Sequence, residues 1–480
     1  MSITLTTRAK HSLPIETVTA KGYPDWLKQQ DSGAQAWIAA SRFRGKAGSH
    51  LMIPGPKGNP VRVVVGVEGA EDIWSFGGLP RALPPGAYRL DPEPERQSAT
   101  LAALGWALGG YRFERYKRSE EKLAELVWPK AVDRKALTRA AEATFLVRDL
   151  VNTPAGDLGP AELAEEAMAV AKAHGGKCKV TVGSKLLEKK YPAIHAVGRA
   201  AGKGREPRLI DLTWGEEGPL VVVVGKGVCF DTGGLDLKSA GGMKNMKKDM
   251  GGAAHALALA QMIMGAGLKL RLRVLVPAVE NAVSGDAFHP LDVLDTRKGL
   301  TVEVGNTDAE GRLILCDALA EADRHKPDLM IDFATLTGAA RVALGPDLPA
   351  LFTRHDDLAE DFATAGARQQ DPVWRLPLHT SYRKMLDSKI ADINNVSDGG
   401  FAGAITAGLF LAEFVHESTL WAHIDLYAWN SSTRPGRPAG GEAMSLRAAY
   451  AVVEKRLGAD ARPKAKRQAK QAARKKRPAQ

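Results

Sequence analysis

The hydrophobic pattern divides the chain into two stretches of different character. In the first, Val61-Arg62-Val63-Val64-Val65 is an apolar run closed off by Pro60 and Gly66, which predicts a strand, and residues 79–91 are dense in turn formers. Residues 98–111, rich in Ala and Leu, predict a helix. The charged stretch 119–148 predicts a helical connection, with 136–150 as the connecting helix proper. From Asn152-Thr153-Pro154 onward, short apolar runs alternate with longer helical segments. Strands are predicted at 179–182, 209–213, 220–224, 270–276, 329–333 and 421–426, and helices at 160–174, 253–265, 313–323 and 408–416. The run 220–224 is apolar throughout, as expected of a strand covered on both faces. Strands spaced by helices of this length indicate βαβ units. The fold class is therefore α/β: a small N-terminal α/β domain (1–135), then a larger catalytic domain (151–460) with a mixed, mostly parallel sheet flanked by helices.

Composition adds little until the charge is localised. The 44% hydrophobic share is enough to build large cores in 480 residues and excludes a chain disordered throughout. The formal charge of +11 suggests an anionic partner. Residues 461–480, however, carry nine Lys/Arg and no Asp or Glu, which leaves 57 basic against 55 acidic residues in the rest of the chain. The body is nearly neutral and the tail is predicted to be disordered and solvated. Two readings of the tail stay open, a solubilising appendage and a nucleic-acid or anionic-polymer contact; the second carries the alternative function, a non-catalytic or moonlighting nucleic-acid-binding protein. Three dispersed cysteines argue against a disulfide framework. No run approaches the ~20 apolar residues of a membrane span. The expected location is cytoplasmic, with no membrane partner.

Chemistry concentrates in two segments. One is GKGVCFDTGGLDLK (225–238) followed by KKDMGG (247–252); the other is GNTDAEGRL (305–313). Each is expected at the end of a strand and before a helix, where α/β sheets gather ligand sites. If they converge, Asp231, Asp249, Asp308 and Glu310 share one cleft. Lys238 and Arg312 offset only part of that charge, and burying unbalanced carboxylates is costly. Two divalent cations would balance it: Mn²⁺ or Mg²⁺ from the oxygen-rich donors, with Zn²⁺ also compatible. In an extended loop, Asp308-x-Glu310-x-Arg312 would present two anions and a cation on one face. Lys226, between two glycines, suits either a phosphate contact or, as a neutral amine, a metal ligand; the pattern does not choose.

These same residues carry a family resemblance. NTDAEGRL at 306–313, GKGVCFDTGG at 225–234 and DMGGAA at 249–254 resemble the leucyl (cytosol) aminopeptidase family of dinuclear metallopeptidases, with further likeness at Val151–Pro154, 334–338, 391–395 and 421–425. The resemblance implies that Lys226, Asp231, Asp249, Asp308 and Glu310 bind two metal ions. It also implies that Lys238 polarises the scissile carbonyl, that Arg312 positions a bicarbonate proton shuttle, and that a metal-bridging water attacks the N-terminal peptide bond of short peptides. A homohexamer is implied as well. Met246, Thr335 and Gly338 stand at pocket-wall positions. Tyr427 and Asn430 replace smaller pocket residues, narrowing or polarising the pocket, and Tyr427 has core packing as its other reading. Ser239 follows Lys238 where the family usually has Pro.

Overall fold

The computed structural model describes residues 3–7 and 9–458. The basic tail 461–480 lies outside the described residues. The chain divides into two compact units, one of residues up to Phe145 together with Asn430–Gly440, the other of Leu146–Trp429 and the chain from Gly441 on.

In the first unit, strands β1 (Leu5–Thr6), β2 (Leu13–Thr19), β3 (His50–Pro54), β4 (Pro60–Val67), β5 (Ala87–Leu90) and β6 (Glu125–Val127) form a sheet ordered β1-β6-β5-β2-β4-β3. Only β3 runs antiparallel to its neighbour. The run at 61–65 lies within β4, whose Val63 and Val65 are fully buried with Trp106 of the helix Arg96–Gly109. The region 119–148 differs from its prediction. Residues 125–127 are β6, and the helix occupies only Arg134–Asn152. Leu126 is fully buried in the sheet, and Pro129 sits between strand and helix. The apolar pair Leu126-Val127 therefore prevails over the local charge density that suggested a helix, and the proline keeps the helix from extending backward.

The second unit is built on a mixed sheet. Its strands are β7 (Lys177–Val182), β8 (Arg208–Trp214), β9 (Leu220–Gly225), β10 (Gly227–Asp231) and β11 (Arg271–Asn281). A small sheet of β12 (Val293–Asp295), β13 (Thr301–Glu303) and β17 (Ile393–Asn394) stands beside it, and the main sheet continues with β14 (Leu329–Ala334), β15 (Ala350–Phe352), β16 (Trp374–Arg375) and β18 (Trp421–Asp425). The order is β16-β15-β18-β14-β9-β11-β8-β7, with β10 paired to β11. The central strands β18, β14, β9, β11 and β10 are all parallel, and antiparallel pairs appear toward the edges. Val221 through Val224 have no exposed surface. Their cover includes the helix Gly251–Ala266, which is apolar nearly all round, and the helix Glu310–Arg324. A strand buried on both faces needs side chains that are apolar at every position rather than at alternate ones, which is why 220–224 reads so clearly.

Candidate metal centre

The parallel strands bring several chain segments to one sheet edge. β9 ends just before Lys226, β10 ends on Asp231, β11 on Asn281, β14 just before Thr335 and β18 on Asp425. Backbone bonds fix Lys226 between its neighbours: its N–H donates to Phe333 O (3.0 Å) and its carbonyl accepts from Ala253 N (2.8 Å). The buried ammonium lies 2.8 Å from Asp249 Oδ2 and 2.9 Å from Glu310 Oε1, and donates to Thr335 O at 3.1 Å. Gly311 makes this possible, since a Cβ there would lie 2.5 Å from Lys226 Cε.

Asp231 is held by Asn281 Nδ2 and Gly233 N, each 2.9 Å from Oδ1, while Oδ2 lies 2.9 Å from Lys238 Nζ. Lys238 also pairs with Asp308. The loop that turns from Asp231 to Lys238 uses Gly233 (φ +91°) and Gly234 (φ +70°), backbone settings open to glycine. Thr335 Oγ1 donates to Asp249 Oδ1 at 2.7 Å. Carboxylate oxygens of Asp231, Asp308 and Glu310 all lie within 4.8 Å of one another, and Asp249 joins them through the shared Lys226 ammonium.

Crowding has the expected electrostatic effect. Burial, then the Asp231 charge, pushes Asp308 up to about 6 and Glu310 well above the usual carboxylate range. Burial pulls the Lys226 ammonium down, but Asp249 and Glu310 more than reverse this and hold it charged. Four carboxylates face two lysines, which leaves a net negative cleft. Asp249 Oδ2 and Glu310 Oε1 are buried and accept no hydrogen bond, although Lys226 lies within ion-pair range of both. Unused oxygen lone pairs in a negative, buried cluster fit divalent cations, and Lys226 becomes an additional nitrogen donor once an arriving cation displaces its proton.

The segment 308–312 departs from the extended-loop expectation. Glu310 opens the helix Glu310–Arg324, so Asp308 and Glu310 converge across a helix start, where the macrodipole favours anions. Arg312, one step into the same turn, is buried and donates to Asn395 O, leaving its Nε–H without a hydrogen-bond partner among the described residues. Burial lowers its pKa to about 10.

A cavity of about 380 Å³ adjoins the cluster, and Lys238, Met246, Thr335, Gly338 and Tyr427 are among the residues lining it. Asn430 is placed differently from its predicted pocket role. It belongs to the first unit, where its amide donates to Arg437 O (2.7 Å) and Pro438 O (3.1 Å) and accepts from Arg434 (2.7 Å). Both of its N–H groups are thus taken by the local turn. Sequence reasoning passed over Asn281, Thr307, Asn395, Lys248 and Arg341. Asn281 had a usable signal as the polar end of an apolar strand, and Asn395 lay within a motif already noted. Thr307 accepts from Asp236 N (2.9 Å) and donates to Gly233 O (2.7 Å), tying the two motif segments together.

With this geometry in hand, the comparisons are direct. The family model for the cytosol aminopeptidase family, catalytic domain, matches residues 145–450, and that for the M17 aminopeptidase, N-terminal domain, matches 13–129. The chain belongs to the cytosol aminopeptidase family. Among individual proteins it is 46% identical over 308 residues to a probable cytosol aminopeptidase of Xylella fastidiosa and 44% identical over 308 residues to one of Xanthomonas campestris pv. campestris. Each alignment spans 62% of either chain. The solved cytosol aminopeptidase of Coxiella burnetii is 50% identical, with 94% of this chain and 98% of that one covered at a TM-score of 0.90. The bottromycin maturation enzyme BotP in complex with Mn is 34% identical, covering 92% and 98% at a TM-score of 0.82.

Proposed function

We propose that this chain is a metal-dependent aminopeptidase that removes N-terminal residues from short peptides. The observation that carries this reading is the convergence of Asp231, Asp308 and Glu310 within 4.8 Å, braced by two lysines at the end of a parallel sheet. Lys226, Asp231, Asp249, Asp308 and Glu310 would hold two divalent ions, Mn²⁺, Zn²⁺ or Mg²⁺. When bound, such ions would supply Lewis acidity and lower the pKa of a water so that it can act as the nucleophile. The free α-amine of a peptide would bind one of these ions, which would restrict cleavage to the chain end. Lys238, half-buried at the cavity wall, donates toward the scissile carbonyl and stabilises the oxyanion that develops. Arg312, anchored on Asn395 and with one donor unengaged, suits a bicarbonate that relays the proton.

The Mn complex of BotP and the cytosol aminopeptidase names of the relatives support the metal dependence and the reaction class. Homohexameric assembly and a cytoplasmic location belong to the same proposal and rest on family likeness; light scattering on the purified chain tests the first. No helix among the described residues is long and apolar enough to cross a membrane.

The test pairs metal analysis with turnover of leucyl-p-nitroanilide before and after chelation. Asp308→Asn is expected to lower kcat/KM roughly a hundredfold or more, a loss of a few kcal/mol of transition-state stabilisation, with an unchanged circular dichroism spectrum. A metal-loaded protein that turns over no aminoacyl anilide, or an Asp308→Asn variant as active as the parent, overturns the reading.

A further inference from the structure

We propose that the cavity beside the metal centre selects peptides whose N-terminal residue bears a side-chain carboxylate, Asp or Glu, and that Lys248 recognises it with Arg341 assisting. This rests on the aminopeptidase reading and adds the substrate class to it.

Three lysines line the cavity, and they are not equivalent. Lys226 and Lys238 are each paired with two carboxylates. Lys248 is 5% exposed, yet its ammonium has neither a hydrogen bond nor a salt bridge among the described residues. Its close neighbour is the Tyr427 ring, with Nζ 5.1 Å from the centroid. Arg341 Cζ lies 4.7 Å from the same centroid and is likewise without a carboxylate partner among the described residues. Cation–π contact with one ring does not compensate a largely buried ammonium for lost water. Two cations gathered at one ring, each within reach of the other's charge, form a place for an anion.

Asp249 and Asp231 act on the Lys248 charge from a distance, but among the described residues no wall carboxylate lies within ion-pair range of Lys248 or Arg341. Asp425 also lines the cavity, but its oxygens accept from Leu336 N (3.0 Å), Thr337 N (3.2 Å) and Thr337 Oγ1 (2.7 Å) and so serve the turn at 336–337. The cavity consequently has the carboxylate cluster of Asp231, Asp249 and Asp308 at one end and the cations Lys248 and Arg341, against Tyr427, at the other. A residue with a free α-amine for the metal-loaded cluster and a side-chain carboxylate for the cations matches both ends. A leucine matches only the first.

Position in the chain favours the side chain over the carboxylate at a peptide's far end. Lys248 directly precedes the ligand Asp249, so it stands against the residue whose amine enters the cluster. A dipeptide's terminal carboxylate lies a further residue away, about 3.3–3.6 Å along an extended chain.

Aminoacyl p-nitroanilides separate the two sources, because they have no peptide carboxylate. With the full chain loaded with Mn²⁺, kcat/KM for glutamyl-p-nitroanilide is expected to exceed that for the isosteric glutaminyl compound at least tenfold, about 1.4 kcal/mol. Lys248→Met is expected to bring that ratio close to unity whatever it does to the overall rate, and Lys248→Arg to restore part of it. Arg341→Met, at the exposed edge, should reduce the ratio less. Equal turnover of the two anilides by the native chain, or an unchanged ratio in Lys248→Met, overturns the proposal. Hydrolysis of leucyl and glutaminyl anilides without a glutamyl advantage sinks this proposal alone; hydrolysis of none sinks the aminopeptidase reading and this with it. Should Lys248→Met fail to fold, the native ratio and its decline with added salt decide the matter.

Discussion

At the scale of the residue, burial and partners decide what each titratable group does. His255 has no exposed surface and both ring nitrogens are engaged: Nδ1 lies 2.6 Å from Gly251 O, and Nε2 accepts the Met444 N–H at 2.9 Å. Those partners place the proton on Nδ1 and leave no site for a second one. Burial accordingly lowers its pKa to about 4. Between that value and the unfolded value near 6.5, the unfolded chain takes up a proton that the folded chain refuses. Stability therefore falls as pH drops through this window, by about 3 kcal/mol in all. Denaturant unfolding from about pH 7.5 to about pH 4.5 should show this loss in the native chain and a flatter profile in His255→Gln; parallel profiles would count against it. The clustered carboxylates were legible for a related reason, because four acids within two glycine-rich segments have few structural explanations. Lys248 and Arg341 were not, since their importance arises only when Tyr427 brings two distant segments to one ring.

At the scale of the element, two glycines on two helices make opposite predictions. A Cβ at Gly252 would lie 2.2 Å from Phe333 O, a backbone atom of β14 that cannot yield. Gly252→Ala should therefore cost about 1–3 kcal/mol of stability through displacement of the helix Gly251–Ala266. At Gly311 the obstructed atoms are Lys226 Cε and Nζ, 2.5 and 2.6 Å away, at the end of a side chain. Gly311→Ala should keep a melting temperature near that of the parent while displacing Lys226 and lowering kcat/KM at least tenfold, roughly 1.4 kcal/mol. Melting temperature and turnover measured on both variants check the contrast. The central strands β9, β14 and β18 were readable because their apolar runs are continuous. The strand β6 was not, because three residues within a charged stretch give no period, and only pairing with β1 and β5 makes them a strand. The arrangement of 308–312 was misread for a similar reason: Glu310 is already helical, and the sequence does not mark that boundary.

At the scale of the whole molecule, the charge of +11 and the chemistry are separable quantities. Deleting residues 461–480 removes nine positive charges and none of the residues of the metal cluster or its cavity, so peptide hydrolysis should be unchanged. Loss of turnover on deletion would contradict this, and salt-sensitive DNA binding that vanishes with the tail would favour a second activity. The division of labour within the second unit has a practical side. All five proposed metal ligands lie between positions 226 and 310, whereas Arg341 rides on the seven-residue helix Gly338–Leu344, capped by Thr337 and bearing Val342 at 85% exposure. Short, capped at its start and outside the segments that carry the carboxylate cluster, that helix is held by Ala340 and Leu344 while Arg341 and Val342 face outward: changing the charge of those two positions offers a route to retargeting the proposed activity while the cluster stays as it is.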